Sequence, residues 1–83
     1  MWFVYIAQSR TGRYYTGISQ NVPERIIRHN SGDGSRFARQ QGPFTLVYTS
    51  PEYTSKSVAR RREIQIKGWT RVKKQYLIQG IYT

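Results

Sequence analysis

The sequence predicts an α+β fold, a small three-stranded, largely antiparallel sheet flanked by helices in the order β-β-α-β-α-α. Three observations predict it. Two aromatic and β-branched runs near the N-terminus, Trp2 to Ala7 and Tyr14 to Ile18, are separated by a short polar turn ending in Gly12. A third β-rich run, Phe44 to Thr49, follows a Gly-Pro breaker. Stretches with helix caps and helical apolar spacing follow the second and third of these runs.

Trp2 to Ala7 is too short for a helix and too continuous for a half-exposed strand, so it reads as the central strand. The turn Gln8-Ser9-Arg10-Thr11-Gly12 leads into Arg13 to Ile18, which completes a hairpin. Gly17 weakens that second strand unless something must approach its backbone. Ser19-Gln20-Asn21 then offers N-caps, Pro23 suits a first helical turn, and Val22, Ile26 and Ile27 form an apolar stripe, predicting a helix from about Pro23 to His29. Asn30 to Gly34 ends it. Ser31 to Pro43 reads as a loop or short frayed helix with Arg36 and Arg39 around Phe37-Ala38. Phe44 to Thr49 is the third strand, stopped by Pro51. Ser55 to Lys67 carries no breaker, has Ser55 or Ser57 as cap, and repeats Val58, Ala59, Arg62 and Ile66 at helical spacing before Gly68 closes it. A last short helix, Arg71 to Gln79, presents Val72, Tyr76 and Leu77 on one side. Residues 1–83 read as a single domain, with Trp2, Val4, Ile6, Leu46 and Val47 expected in its core.

Composition bounds the function. At 83 residues there is room for one core and one site, and 37% hydrophobic with 14% aromatic residues argue against disorder. Fourteen Lys+Arg against four Asp+Glu give a net charge of +10, which favours a polyanionic partner, nucleic acid first and an anionic membrane surface second. No run has the 18 or so apolar residues of a membrane span, and no signal-peptide pattern opens the chain, so a soluble cytoplasmic protein is expected. The absence of cysteine excludes thiolate catalysis, disulfides and Cys-based zinc sites, and a single histidine, His29, excludes His-pair metal sites.

Tyr5 and Tyr15 fall on paired strands and are expected to face one another across the sheet, although strand packing alone accounts for two such tyrosines. Arg25 and His29 share one helical face, which is also what a solvated basic face looks like. Of the four acids, Glu24, Asp33, Glu52 and Glu63, only Glu63 sits mid-helix among cations, where an ion pair with Lys67 at i+4 is the plain explanation. A lone carboxylate also holds Mg²⁺ when water and a substrate phosphate complete the shell.

Taken in order, Phe3-Val4-Tyr5, Tyr15-Thr16-Gly17-Ile18-Ser19, Pro23-Glu24-Arg25 through His29-Asn30-Ser31-Gly32, and Arg61-Arg62-Glu63 through Ile66-Lys67-Gly68 resemble the GIY-YIG nucleases, in particular their small stand-alone bacterial branch. The resemblance runs from Trp2 to about Leu77. It implies the GIY-YIG nuclease fold and a Mg²⁺- or Mn²⁺-dependent endonuclease hydrolysing DNA, with RNA possible, of low sequence preference or directed by structure, in a setting such as DNA repair. By position, the resemblance makes Tyr5 an orienting hydroxyl and Tyr15 the acceptor of the attacking water's proton. Arg25 becomes the cation steadying the scissile phosphate, His29 a proton-transfer group and Glu63 the metal ligand. Gly17 would let the backbone approach beside Tyr15, and Arg36, Arg39, Arg62 and Lys67 would contact substrate.

The sequence departs from the family pattern at Phe3 and Thr16, in place of Gly and Ile, and at Ile18, where some members carry lysine. A late asparagine has no clear counterpart among Gln75 and Gln79, and Lys67 is the candidate for the missing cation. The alternative is a non-catalytic nucleic-acid-binding module that keeps the fold and grips phosphates through Arg36, Arg39, Arg60, Arg62, Lys73 and Lys74. The retained Tyr5, Tyr15, Arg25, His29 and Glu63 count against it. A membrane-surface adaptor would require a long basic amphipathic helix, which the pattern lacks.

Overall fold

The computed structural model describes residues 1–31 and 41–82. Three strands, β1 (Phe3–Gln8), β2 (Tyr14–Ser19) and β3 (Thr45–Thr49), form an antiparallel sheet in the order β2-β1-β3. Among the described residues the helices are α1 (Val22–Asn30), α2 (Lys56–Lys67) and α3 (Arg71–Ile78). The element order is the one the sequence predicts. The expected loop over Ser31 to Pro43 lies almost wholly outside the described residues, as do Arg36 and Arg39.

The central place of β1 explains its unbroken apolar run. Val4 and Ile6 point to one face, where Ala59 and Ile66 of α2 and Leu77 of α3 bury them. Tyr5 and Ala7 point to the other, where Val22 of α1 and Phe44 close over them. A strand covered on both sides has no polar position to alternate with. Local signals set the helix starts: the side chains of Asn21, Ser55 and Thr70 accept from the backbone amides of Glu24, of Ser57 and Val58, and of Lys73. Gly68 closes α2 as expected.

The core differs from expectation at several apolar positions. The β1–β3 register slips between Ile6 and Ala7, so that Ile6 opposes Tyr48 and Ala7 opposes Leu46, leaving Val47 as the extra residue of a bulge. Val47 and Tyr48 both pack against the Val4–Ile6 cluster as a result. Leu46, expected in the core, is 37% exposed at the rim of the edge strand. Trp2 is half-buried against the same cluster. Ile27, Val58, Val72 and Tyr76 also face solvent, because these short helices each bury a narrow line of residues: Val22 and Ile26 of α1, Ala59, Glu63 and Ile66 of α2, and Leu77 and Ile78 of α3. No helix among the described residues is long and apolar enough to cross a membrane.

The contrast between Ile6 and Leu46 gives a direct check on this packing. Ile6→Ala empties a fully buried site and is expected to cost about 2–5 kcal/mol. Leu46→Ala is expected to cost clearly less than Ile6→Ala, since over a third of that residue stays exposed. Denaturant midpoints of the two variants measure the difference.

Candidate active site

Side chains from β1, β2, α1 and α2 meet at one cleft of about 320 Å³, and Tyr5, Tyr15, Arg25, His29 and Glu63 all line it. The sheet register explains the first two. Tyr5 pairs with Gly17 and Ala7 with Tyr15, so Tyr5 and Tyr15 share a face but stand diagonally rather than directly opposite, as the sequence suggested. The Tyr5 ring lies across Gly17. A Cβ at position 17 would stand 2.6 Å from the Tyr5 hydroxyl oxygen and 2.8 Å from Cζ, closer than any side chain tolerates. Gly17 therefore makes room for the Tyr5 ring, whereas the sequence pointed to a close backbone approach beside Tyr15.

Helix α1 supplies the next pair. Its i, i+4 spacing brings Arg25 and His29 to the cleft together, and His29 Nε2 lies 3.3 Å from the Tyr5 hydroxyl. Phe44 forms the wall between His29 and Tyr15, with ring centroids 5.5 Å and 5.4 Å away and an edge-on geometry toward Tyr15. That wall is fixed by Asn30 at the end of α1, whose Nδ2 donates to the Phe44 carbonyl at 2.9 Å while its Oδ1 accepts from the Phe44 amide at 2.6 Å. The clamp ties α1 to the start of β3 with both of the side chain's polar atoms in use.

Glu63 reaches the cleft from α2, which packs on β2 and β1 from the opposite side of the sheet. It is 3% exposed, so it is no ordinary surface partner of Lys67. Arg60 Nη1 donates to its Oε1 at 2.8 Å, and Lys67 Nζ stands 3.4 Å from its Oε2. Both cations are about half exposed, at 51% and 55%, and bridge the buried carboxylate to solvent. Arg60 also lines the cleft, whereas Lys67 does not. Arg62 lies elsewhere, its guanidinium carbon 4.9 Å from the Trp69 ring centroid.

The cleft residues belong to a known pattern: residues 1–76 match the GIY-YIG catalytic domain. The chain belongs to the GIY-YIG family. It is 43% identical over 77 residues to a UPF0213 protein of Staphylococcus epidermidis, covering 93% of each chain. It is 42% identical over 77 residues to a UPF0213 protein of Halobacterium salinarum, covering 93% of this chain and 99% of the other. The solution NMR structure of a UPF0213 protein from Bacillus halodurans is similar at a TM-score of 0.59 and 40% identity, covering 95% of this chain and 84% of that one.

Electrostatics in this GIY-YIG cleft act most clearly on His29. Burial, and then the positive charge of Arg25 beside it, hold the imidazole below its ordinary value of 6.5. At neutral pH His29 is therefore neutral, with one ring nitrogen free to take a proton. Glu63 is the one buried carboxylate among the described residues, and no three His, Asp or Glu side chains gather there. Such a donor set suits a Mg²⁺ ion that arrives with phosphate and water as its remaining ligands, because Mg²⁺ keeps much of its hydration shell and binds through one or two carboxylates.

Because the chain has one histidine, its imidazole resonance reports on the site without assignment ambiguity. Titrated by NMR, His29 is expected to protonate with a midpoint below 6.5. Arg25→Gln is expected to move the midpoint upward while leaving the larger effect, burial, in place. A midpoint at or above 6.5 in the wild type would contradict this placement of the ring.

Proposed function

We propose that the cleft binds a nucleic-acid phosphodiester and hydrolyses it, making this chain a metal-dependent endonuclease acting on DNA, with RNA as a further substrate class. The observation that carries the reading is the convergence of Tyr5, Tyr15, Arg25, His29 and Glu63, from separate elements, on a single cleft in a chain of charge +10. Each has work in this reaction. A water oxygen attacks phosphorus, one P–O ester bond breaks, and the products are a phosphomonoester and an alcohol. Negative charge builds on the non-bridging oxygens, where the Arg25 guanidinium lining the cleft lowers the barrier. Tyr15, reacting as the phenolate, takes the proton of the attacking water, and the leaving oxygen takes up a proton from solvent water to give the alcohol. His29, neutral in its setting and in contact with the Tyr5 hydroxyl, is the second proton-carrying group, and an imidazole suits that task near neutral pH. Tyr5 orients it. Glu63 would hold Mg²⁺ or Mn²⁺, which when bound supplies Lewis-acid polarisation and stabilises the leaving oxygen.

One observation favours the second reading, a nucleic-acid-binding module that keeps the fold without cutting. Both oxygens of Glu63 already have cationic partners, Arg60 and Lys67, so the carboxylate is balanced without a metal ion. Both readings share phosphate binding through Arg25 and the surrounding cations, and they separate at Glu63.

Glu63→Gln keeps the side chain's size and removes its charge. Under the nuclease reading, cleavage of labelled single-stranded, duplex or branched DNA with Mg²⁺ is expected to fall by roughly 10²-fold or more. Binding measured in EDTA is expected to be kept or tightened. Wild-type cleavage by the variant would defeat the metal assignment. No cleavage by either protein on any of these substrates, with binding intact, would establish the binding module.

A further inference from the structure

The cleft has a neighbouring groove at each end of the edge strand β2. At its N-terminal end a groove of about 340 Å³ is lined by Arg13, Tyr14, Tyr15, Arg71 and Lys74, and Tyr15 belongs to both this groove and the cleft. At the C-terminal end a second groove of about 350 Å³ contains Arg28 together with the carboxylate of Glu24, and shares Ile18 and Arg25 with the cleft. Tyr15 and Ile18 stand roughly 10 Å apart along the strand, so the two grooves adjoin the cleft at positions well separated along β2.

The first groove joins cations that the sequence keeps far apart. Arg13 closes the β-hairpin, while Arg71 and Lys74 sit one turn apart at the start of α3. Arg71 is held over the Tyr14 ring, its guanidinium carbon 4.3 Å from the centroid. No ion pair among the described residues neutralises Arg13, Arg71 or Lys74. Lys73, next to Lys74, points elsewhere, its Nζ 4.4 Å from the Trp69 centroid and 5.3 Å from that of Tyr82.

We infer that the groove formed by Arg13, Arg71 and Lys74 is a phosphate track that carries the nucleic-acid strand over Tyr15 into the cleft, with Arg25 and Arg28 receiving it on the far side. This rests on the proposed nucleic-acid substrate and adds the path it takes. A polyanion is the ligand that these unneutralised cations fit, and a strand rather than a free phosphate is the one long enough to reach from one groove across the cleft to the next. The guanidinium of Arg71, already immobilised on Tyr14, meets a phosphate with little further loss of freedom.

The test is the salt dependence of binding to a labelled oligodeoxynucleotide, single-stranded and duplex, in EDTA. Each phosphate contact removed lowers the slope of log K against log salt by about 0.7 to 0.9. Lys74→Gln is expected to lose one such step and Arg71→Gln with Lys74→Gln about two, whereas Lys73→Gln, which removes the same charge one residue away, leaves the slope unchanged. An oligonucleotide too short to leave the cleft is expected to bind the wild type and Lys74→Gln alike. Equal slopes for Lys73→Gln and Lys74→Gln would overturn the track while wild-type binding kept the nucleic-acid reading alive. No binding by the wild type at any salt would overturn both. Lys74→Gln changes a partly exposed residue, so the result stands even if the double variant unfolds.

Discussion

The close approach of the Tyr5 ring to the Gly17 backbone is the contact on which the rest of the site depends. Tyr5 is fixed by its place in the central strand, with Thr49 beside it on β3 and Gly17 on β2. Its ring can lie flat along the sheet only because the opposing residue has no Cβ. In that position its hydroxyl meets His29, and α1 is held so that Arg25 comes with it. Glycine's weakness as a strand residue is accepted there for a steric reason.

The second constraint is electrostatic. With four acids against fourteen basic residues, burying a carboxylate in this chain works only where cations surround it. Arg60 and Lys67, one turn before and after Glu63 on the same helix, keep their charged ends toward solvent while satisfying the buried oxygens. Burial lowers the proton affinity of His29, and the positive charge of Arg25 adds to that effect. One imidazole of lowered proton affinity and one buried carboxylate therefore sit within a chain of strong net positive charge.

How much of this was legible in the sequence depended on how local the signal was. Strands, helices and caps were read from neighbouring residues, such as Asn21 before Val22-Pro23 and Ser55 before α2, and they stand where the spacing put them. The five cleft residues were named from helical spacing and from the motif resemblance. What failed was non-local. Hairpin register decides whether Tyr5 stands opposite Gly17 or Tyr15, and that two-residue difference in pairing is invisible in composition. The bulge at Val47, which leaves Leu46 at the rim, follows from how β3 meets β1. The Asn30 clamp on Phe44 joins residues 14 apart, and the groove of Arg13, Arg71 and Lys74 joins both ends of the chain. Arg60 had a local signal, three residues before Glu63, but one it shared with the neighbouring arginines.

The measurement that bears most directly on this account is Gly17→Ala, followed by cleavage rate, salt dependence of binding and the His29 resonance. A methyl group at position 17 is placed against the Tyr5 ring and must displace it. The account predicts a folded protein that binds nucleic acid with the wild-type salt slope, shows an altered His29 titration and cuts far more slowly. Wild-type cleavage with an unchanged His29 titration would contradict it, because the site would then work without the contact that arranges it.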